Sequence, residues 1–134
     1  MKVVIDTNVL VSALSTKSLH HWLIEEILAE KFDVHITDGI ILEYEEVLMQ
    51  KYSAVVANNF IAALKELPNV YYAQVYFHWN LLTDEDDNKF VDCAVAANAN
   101  CLLTHDKDFN SLRLLSFPKV NIVTIDEFKE IAGR

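Results

Sequence analysis

The sequence predicts a single α/β domain built on a largely parallel central sheet flanked by helices, and three observations carry that prediction. Short β-branched or apolar runs recur along the chain: Val3-Val4-Ile5, Val34-His35-Ile36-Thr37 and Cys101-Leu102-Leu103-Thr104. They alternate with longer segments whose apolar residues fall at helical spacing, the pattern that parallel strands joined by helical crossovers produce. A length of 134 residues, 52% hydrophobic with two Gly and two Pro, suffices for one core and leaves little for linkers or disorder.

The first strand, Val3-Val4-Ile5, is β-branched throughout and suits burial on both faces at the centre of a sheet. Asp6 follows it directly, and Val9, Leu10, Ala13 and Leu14 then set out a helix. Two roles are open to the Asp6 carboxylate. It caps that helix, or it projects from the strand's carboxyl end, the edge where open α/β sheets bind ligands. Ser18 is the expected cap of a second helix with Trp22, Leu23, Ile24, Ile27 and Leu28 on its apolar face. After the strand at 34–37, Asp38 is the expected cap of a helix whose buried stripe is Ile40, Ile41, Tyr44, Val47 and Leu48. Glu43 falls at the edge of that stripe, where an acid requires a partner.

A further helix over about residues 54–67, carrying Val55, Val56, Phe60, Ile61 and Leu64, is expected to pack on the preceding one as an αα-hairpin, and Pro68-Asn69 ends it. The aromatic and β-branched stretch 70–77 should contain a third strand. The densest acidic run, Asp84-Glu85-Asp86-Asp87, precedes a helix with Phe90, Val91, Ala94, Val95 and Ala97 on its apolar face. One Asp at a helix start needs no function beyond capping and the dipole. Four consecutive acids repel one another more than capping requires, and a counter-ion relieves them; Asp84 and Glu85 are equally at home in a solvated loop. Asp92 lies on another side of that helix, where pairing with Lys89 and a supporting role at the site are both open. Beyond the strand at 101–104, Leu112, Leu114, Leu115 and Phe117 are expected to cover the core. Residues 121–125 give a last strand, and Asp126 is the expected cap of a C-terminal helix with Phe128 and Ile131 inward.

Twenty acids against 11 bases give a net charge of -9, which opposes broad electrostatic binding to nucleic acid but not a metal-bridged nucleic-acid substrate. Cys93 and Cys101 sit in apolar settings without metal-ligand spacing and read as buried free thiols. No apolar stretch approaches the ~20 residues of a membrane span, and Met1 leads straight into a core strand without a signal-peptide pattern. A cytoplasmic protein without a membrane partner is expected.

Four carboxylates occupy comparable stations: Asp6 and Asp106 after strands, Glu43 on a helix face, Asp87 at a helix start. Carboxyl ends of parallel strands share one edge, so Asp6 and Asp106 can converge there and the other two can reach the same crevice from flanking helices. Oxygen donors without Cys or a His cluster favour hard ions, Mg²⁺ or Mn²⁺, over zinc. Such ions orient a phosphodiester, lower the pKa of an attacking water and stabilise the leaving oxygen, and a two-ion site places them ~3.5–4 Å apart.

Asp6-Thr7-Asn8-Val9-Leu10, Glu43 within Ile41-Leu42-Glu43-Tyr44-Glu45-Glu46-Val47-Leu48, Asp84-Glu85-Asp86-Asp87-Asn88-Lys89-Phe90 and Thr104-His105-Asp106-Lys107-Asp108-Phe109 together resemble the four motifs of PIN-domain ribonucleases. The last two are similar to those of prokaryotic toxin components related to the VapC toxins. The likeness runs from Val3 to about Ile125. Any one motif is weak; all four in order at domain-wide spacing are strong. The resemblance implies a single three-layer PIN-like domain and a metal-dependent endonuclease that cuts RNA by water attack, leaving a 3′-hydroxyl and a 5′-phosphate. Asp6, Glu43, Asp87 and Asp106 match the family's acidic positions, as catalytic residues and metal ligands. By the same matching Asn8 and Thr104 are polar supports that orient ligands or substrate, and Asp108 is a supporting carboxylate.

The sequence departs from that subgroup at Glu85, where Pro is usual, and at His105, where Gly is common; neither removes a ligand. His105 either contacts substrate or is a plain exposed loop residue. The implied partners are RNA, a small antitoxin protein encoded alongside, and a second copy of the chain. Lys17, Lys51, Lys89, Lys107 and Arg113 fall near the expected crevice and serve either as phosphate contacts or as solubilising residues. An aspartyl-phosphate phosphatase needs an Asp where Asn8 stands, and a phosphoacceptor signalling domain needs a mid-chain acceptor Asp that is missing. The remaining alternative is a catalytically weak PIN-like module that binds RNA or protein. Retention of all four acids opposes it, and metal-dependent turnover separates the two readings.

Overall fold

In the computed structural model, which describes residues 1–134, β1 (Lys2–Ile5) pairs in parallel with both β2 (Asp33–Ile36) and β4 (Cys101–Leu103). β3 (Val70–Tyr72) extends the sheet beyond β2, and β5 (Ile122–Val123) extends it beyond β4. The order is therefore β3-β2-β1-β4-β5, with every pairing parallel. Val3, Val4 and Ile5 are wholly buried, as a β-branched strand at the centre of a sheet covered on both faces should be. The helices are α1 (Thr7–Ala13), α2 (Trp22–Leu28), α3 (Asp38–Lys51), α4 (Ala54–Glu66), α5 (Glu85–Ala97) and α6 (Ile125–Ile131), with a 3-10 helix over Lys107–Leu114.

Sheet order fixes where a crevice opens. The chain crosses from β1 to β2 to β3 in one direction, then returns past β1 to β4 and β5. Right-handed crossovers then place α1 to α4 on one face and α5 on the other, giving three layers. The reversal lies between β1 and β4, and the carboxyl ends of such a pair diverge into a crevice. Asp6 and Asp106 follow those two strands.

Helix starts differ from expectation in a consistent way. Thr37, not Asp38, caps α3, its Oγ1 accepting from the Ile40 N–H at 3.2 Å. Thr124, not Asp126, caps α6 in a reciprocal box with Glu127. The capping residue is the last one in extended backbone, and each Asp instead sits in the first turn, where the helix dipole favours it. Ser18 does not cap α2: its Oγ accepts from the His20 N–H at 3.1 Å in the preceding turn, and α2 starts after His21 without a side-chain cap.

The α3–α4 hairpin forms as expected, with Ile40, Ile41, Tyr44 and Leu48 buried against Ala57, Ile61 and Leu64. Val55 and Val56, in the first turn of α4, lie outside that stripe and are exposed. The third strand ends at Tyr72, and the chain then runs without a ladder partner to the acidic loop. Leu114 and Phe117 do not cover the core; they are 91% and 79% exposed. The segment is a 3-10 helix with three residues per turn, so the inward positions are Phe109, Leu112 and Leu115. Phe128 points inward while Ile131 is exposed. Cys93 and Cys101 are buried free thiols, and burial pushes Cys93 up to about 12. No helix is long and apolar enough to cross a membrane.

Candidate functional site

Asp6 fills both roles that its position offers. It is the N-cap of α1, with Oδ1 accepting from the Thr7 N–H at 2.8 Å, and its Oδ2 accepts from the Thr104 hydroxyl at 2.8 Å. Thr104 Oγ1 in turn accepts from the Asp106 N–H at 3.0 Å. One buried hydroxyl thus ties the ends of β1 and β4 together and sets the distance between their acids. Asp6 is only 6% exposed. Burial pushes its carboxyl above the ordinary range, the bonds from Thr104 and Thr7 pull it down, and the charges of Glu43 and Asp106 push it up again.

Two short acidic turns bring the next carboxylates in. Asp84 caps α5, its Oδ1 accepting from the Asp86 N–H at 2.9 Å; Asp106 caps the 3-10 helix and accepts from the Asp108 N–H at 2.9 Å. Asn88 fixes the first of these turns, accepting from the Leu82 N–H at 2.9 Å and donating to the Leu82 carbonyl at 3.0 Å. As a result Asp87, Asp106 and Asp108 each offer a carboxylate oxygen within 4.8 Å of the others. Burial raises Asp87 to about 6, with Asp84, Asp6, Asp106 and Glu43 adding to the shift, so all of these acids share one field. Asp108 stands in the cluster alongside Asp87 and Asp106 rather than behind it. The Asp-x-Asp spacing of 106 and 108 across a capping turn is the sequence signal for that placement.

Glu43 has the partner that its position demands, and in fact two. Its Oε1 pairs with Lys89 Nζ at 2.7 Å, and its Oε2 accepts from the Thr7 hydroxyl. Neither partner was evident from spacing, since Thr7 is 36 residues away and Lys89 lies on α5. Lys89 therefore does not pair with Asp92. Asp92 is 5% exposed and holds the segment before the acidic loop, accepting from His78 Nδ1 and the Trp79 N–H at 3.0 Å each. The structure thus gives Asp92 an anchoring contact, and it is not one of the three clustered carboxylates. Asn8 is exposed beside Asp6, without a side-chain hydrogen bond to the protein.

Acids gathered at the switch point of a five-stranded parallel sheet define a class, and the chain belongs to the PIN domain family, whose model matches residues 2–108. An uncharacterized protein of Methanocaldococcus jannaschii is 32% identical over 118 residues, covering 84% of this chain and 76% of that relative. Among solved structures, a chain of VapBC2 from Rickettsia felis, bound to a DNA fragment from their promoter, superposes with a TM-score of 0.64 at 15% identity, over 92% of this chain and 98% of that one. VapC20 of Mycobacterium tuberculosis, a sarcin-ricin loop cleaving toxin, superposes with a TM-score of 0.61 at 13% identity, over 84% and 96% of the two chains. At these identities the likeness is one of fold.

Proposed function

We propose that this protein is a metal-dependent endoribonuclease that hydrolyses RNA phosphodiester bonds, and that it is the cytoplasmic toxin of a toxin–antitoxin pair. The observation that carries the reading is the convergence of Asp87, Asp106 and Asp108 at the β1–β4 crevice, beside Asp6 and Glu43. The donor set fits Mg²⁺ or Mn²⁺, being carboxylate oxygen throughout. The three carboxylates each bring an oxygen within 4.8 Å of the others, so modest side-chain adjustment would let them share one such ion. When bound, the ion supplies charge that lowers the pKa of an attacking water and stabilises the leaving oxygen.

The chain's own residues supply position. Asp87, Asp106 and Asp108 would hold the ion. Asp6 and Glu43 complete the acidic wall, the first fixed by Thr104 and the second by Thr7 and Lys89. Exposed Asn8 is available to substrate. The toxin assignment, an antitoxin partner and pairing with a second copy rest on PIN family membership and the shared fold with VapBC2 and VapC20.

The test is cleavage of a mixed RNA panel with Mg²⁺, with Mn²⁺ and with chelator, by wild type and by Asp6→Asn and Asp106→Asn. Metal-dependent cutting lost in both variants is expected. Full activity in either variant, with contaminating nuclease excluded, refutes the assigned site. One observation favours the alternative of a catalytically weak RNA- or protein-binding module: Lys89 already neutralises Glu43. Wild type and variants equally inactive while calorimetry still shows metal binding would select that alternative.

A further inference from the structure

The carboxyl edge of the sheet continues past the acids. On the β4–β5 side it opens into a shallow cavity of about 520 Å³ with no apolar side chain in its lining. Asp106 and Thr104 form the wall shared with the carboxylate cluster, and His105, Lys107, Asn110 and Arg113 line much of the rest. The structure separates the five cations expected near the crevice. Lys89 is occupied by Glu43, and Lys17 and Lys51 line none of the larger cavities. Only Lys107 and Arg113 meet in one, directly beside Asp106.

Arg113 is held in place there. Its Nε donates to Asn110 Oδ1 at 3.3 Å and its Nη2 to Glu127 Oε1 at 3.4 Å, which leaves most of the five-donor fork for a ligand. Lys107 has no ion-pair partner. His20, from the turn after α1, brings a second imidazole to within 6.2 Å of the His105 ring. Asp106 is the one acid in the lining of this cavity, and Glu127 pairs with Arg113. The cavity at the other end of the edge, beside Thr37 and Tyr72, has Lys89 as its one lysine or arginine, and that residue is paired.

A polar recess with a hydrogen-bonded guanidinium and an unpaired ammonium suits an oxyanion. Its shared wall with the acids makes the relevant oxyanion one on the same strand as the bond being cut. The geometry points to a phosphate-binding subsite in which Lys107 and Arg113 take a backbone phosphate adjacent to the scissile one, anchoring the RNA from the β5 side of the crevice. This rests on the nuclease reading. It also gives a chain of net charge -9 a local means of engaging a polyanion, since two of its 11 bases stand together where the strand passes.

The test uses Asp6→Asn protein, which retains Asp87, Asp106 and Asp108, and measures binding of a short single-stranded RNA in Mg²⁺ over a range of salt concentrations. Each lost phosphate contact lowers the slope of log affinity against log salt by about 0.7 on a single strand. Lys107→Ala and Arg113→Ala are each expected to lower it by that amount, and together by about 1.4, equally for every RNA sequence. Arg113→Lys should restore most of the slope, and Lys65→Ala on α4 should leave it unchanged. Lys107 carries no bond of the fold and reports even if Arg113→Ala misfolds. Unchanged slopes in a protein that binds RNA overturn the subsite and leave the nuclease reading standing; wild type that neither binds nor cuts RNA overturns both.

Discussion

Asp87→Asn is expected to stabilise the metal-free protein, and the pH at which it does so can be worked out. Burial at the start of α5 and the charges of Asp84, Asp6, Asp106 and Glu43 raise the Asp87 carboxyl from 3.8 to about 6. A native pKa above the unfolded value means that the fold favours the protonated form, so ionising Asp87 opposes folding. The penalty is absent well below 3.8, grows as pH rises, and is complete above about 6. The gap between those values corresponds to roughly 3 kcal/mol. Asp87 is partly open to water, and screening reduces this to about 1–2 kcal/mol. Asn keeps the shape and removes the charge. In a domain of this size that raises Tm by roughly 3–10 °C above pH 6, fading toward pH 4. The assay is thermal unfolding of both proteins in chelator across that range. A Tm at pH 7 no higher than wild type, or a gain that ignores pH, refutes the reasoning. Saturating Mg²⁺ should then narrow or reverse the order, because binding stabilises the protein with the complete ligand set more. Equal gains in both would show that Asp87 is not a ligand.

Thr104→Val removes the donor to Asp6 and the acceptor for the Asp106 N–H; Mg²⁺ affinity by calorimetry should fall about 10–100-fold, and an unchanged value would make the bridge dispensable. Asp92→Ala frees the His78–Trp79 segment and should destabilise by about 2 kcal/mol in urea melts, with RNA cleavage intact. Activity lost at unchanged stability would instead return Asp92 to the site. Phe90→Ala empties a fully buried position between α5 and the sheet and should cost about 3–5 kcal/mol; a loss under about 1 kcal/mol would mean that this contact is not core.

The sheet and the positions of the four acids were legible because each signal is local. A β-branched run that stops at an acid marks a strand end, and strand ends in a parallel sheet share one edge. What was illegible depends on contacts between distant segments or on helix type. Thr7 and Lys89 hold Glu43 from elements that nothing in their own neighbourhoods connects to α3. Leu114 and Phe117 were expected inward on apolarity alone, whereas the 3-10 period selects Phe109, Leu112 and Leu115. Asp38 and Asp126 are sound capping residue types, but the threonine before each already held the capping position. Spacing leaves Asp92 open to Lys89 or to the site, and it is instead buried where the stretch after β3 folds back across α5 to meet it.

The central place of β1 has a consequence for how the molecule comes into being. The first strand made is the one whose neighbours lie on both sides, and one of them, β4, is among the last. The bond from Thr104 to Asp6 closes a separation of 98 residues. During synthesis the leading strand must wait, half-paired, while the hairpin and α5 emerge, and closures of such range are slow steps in folding. No leading fragment that stops short of Thr104 holds two strand-end acids side by side, so the centre arises in one late step and a growing chain carries none of it.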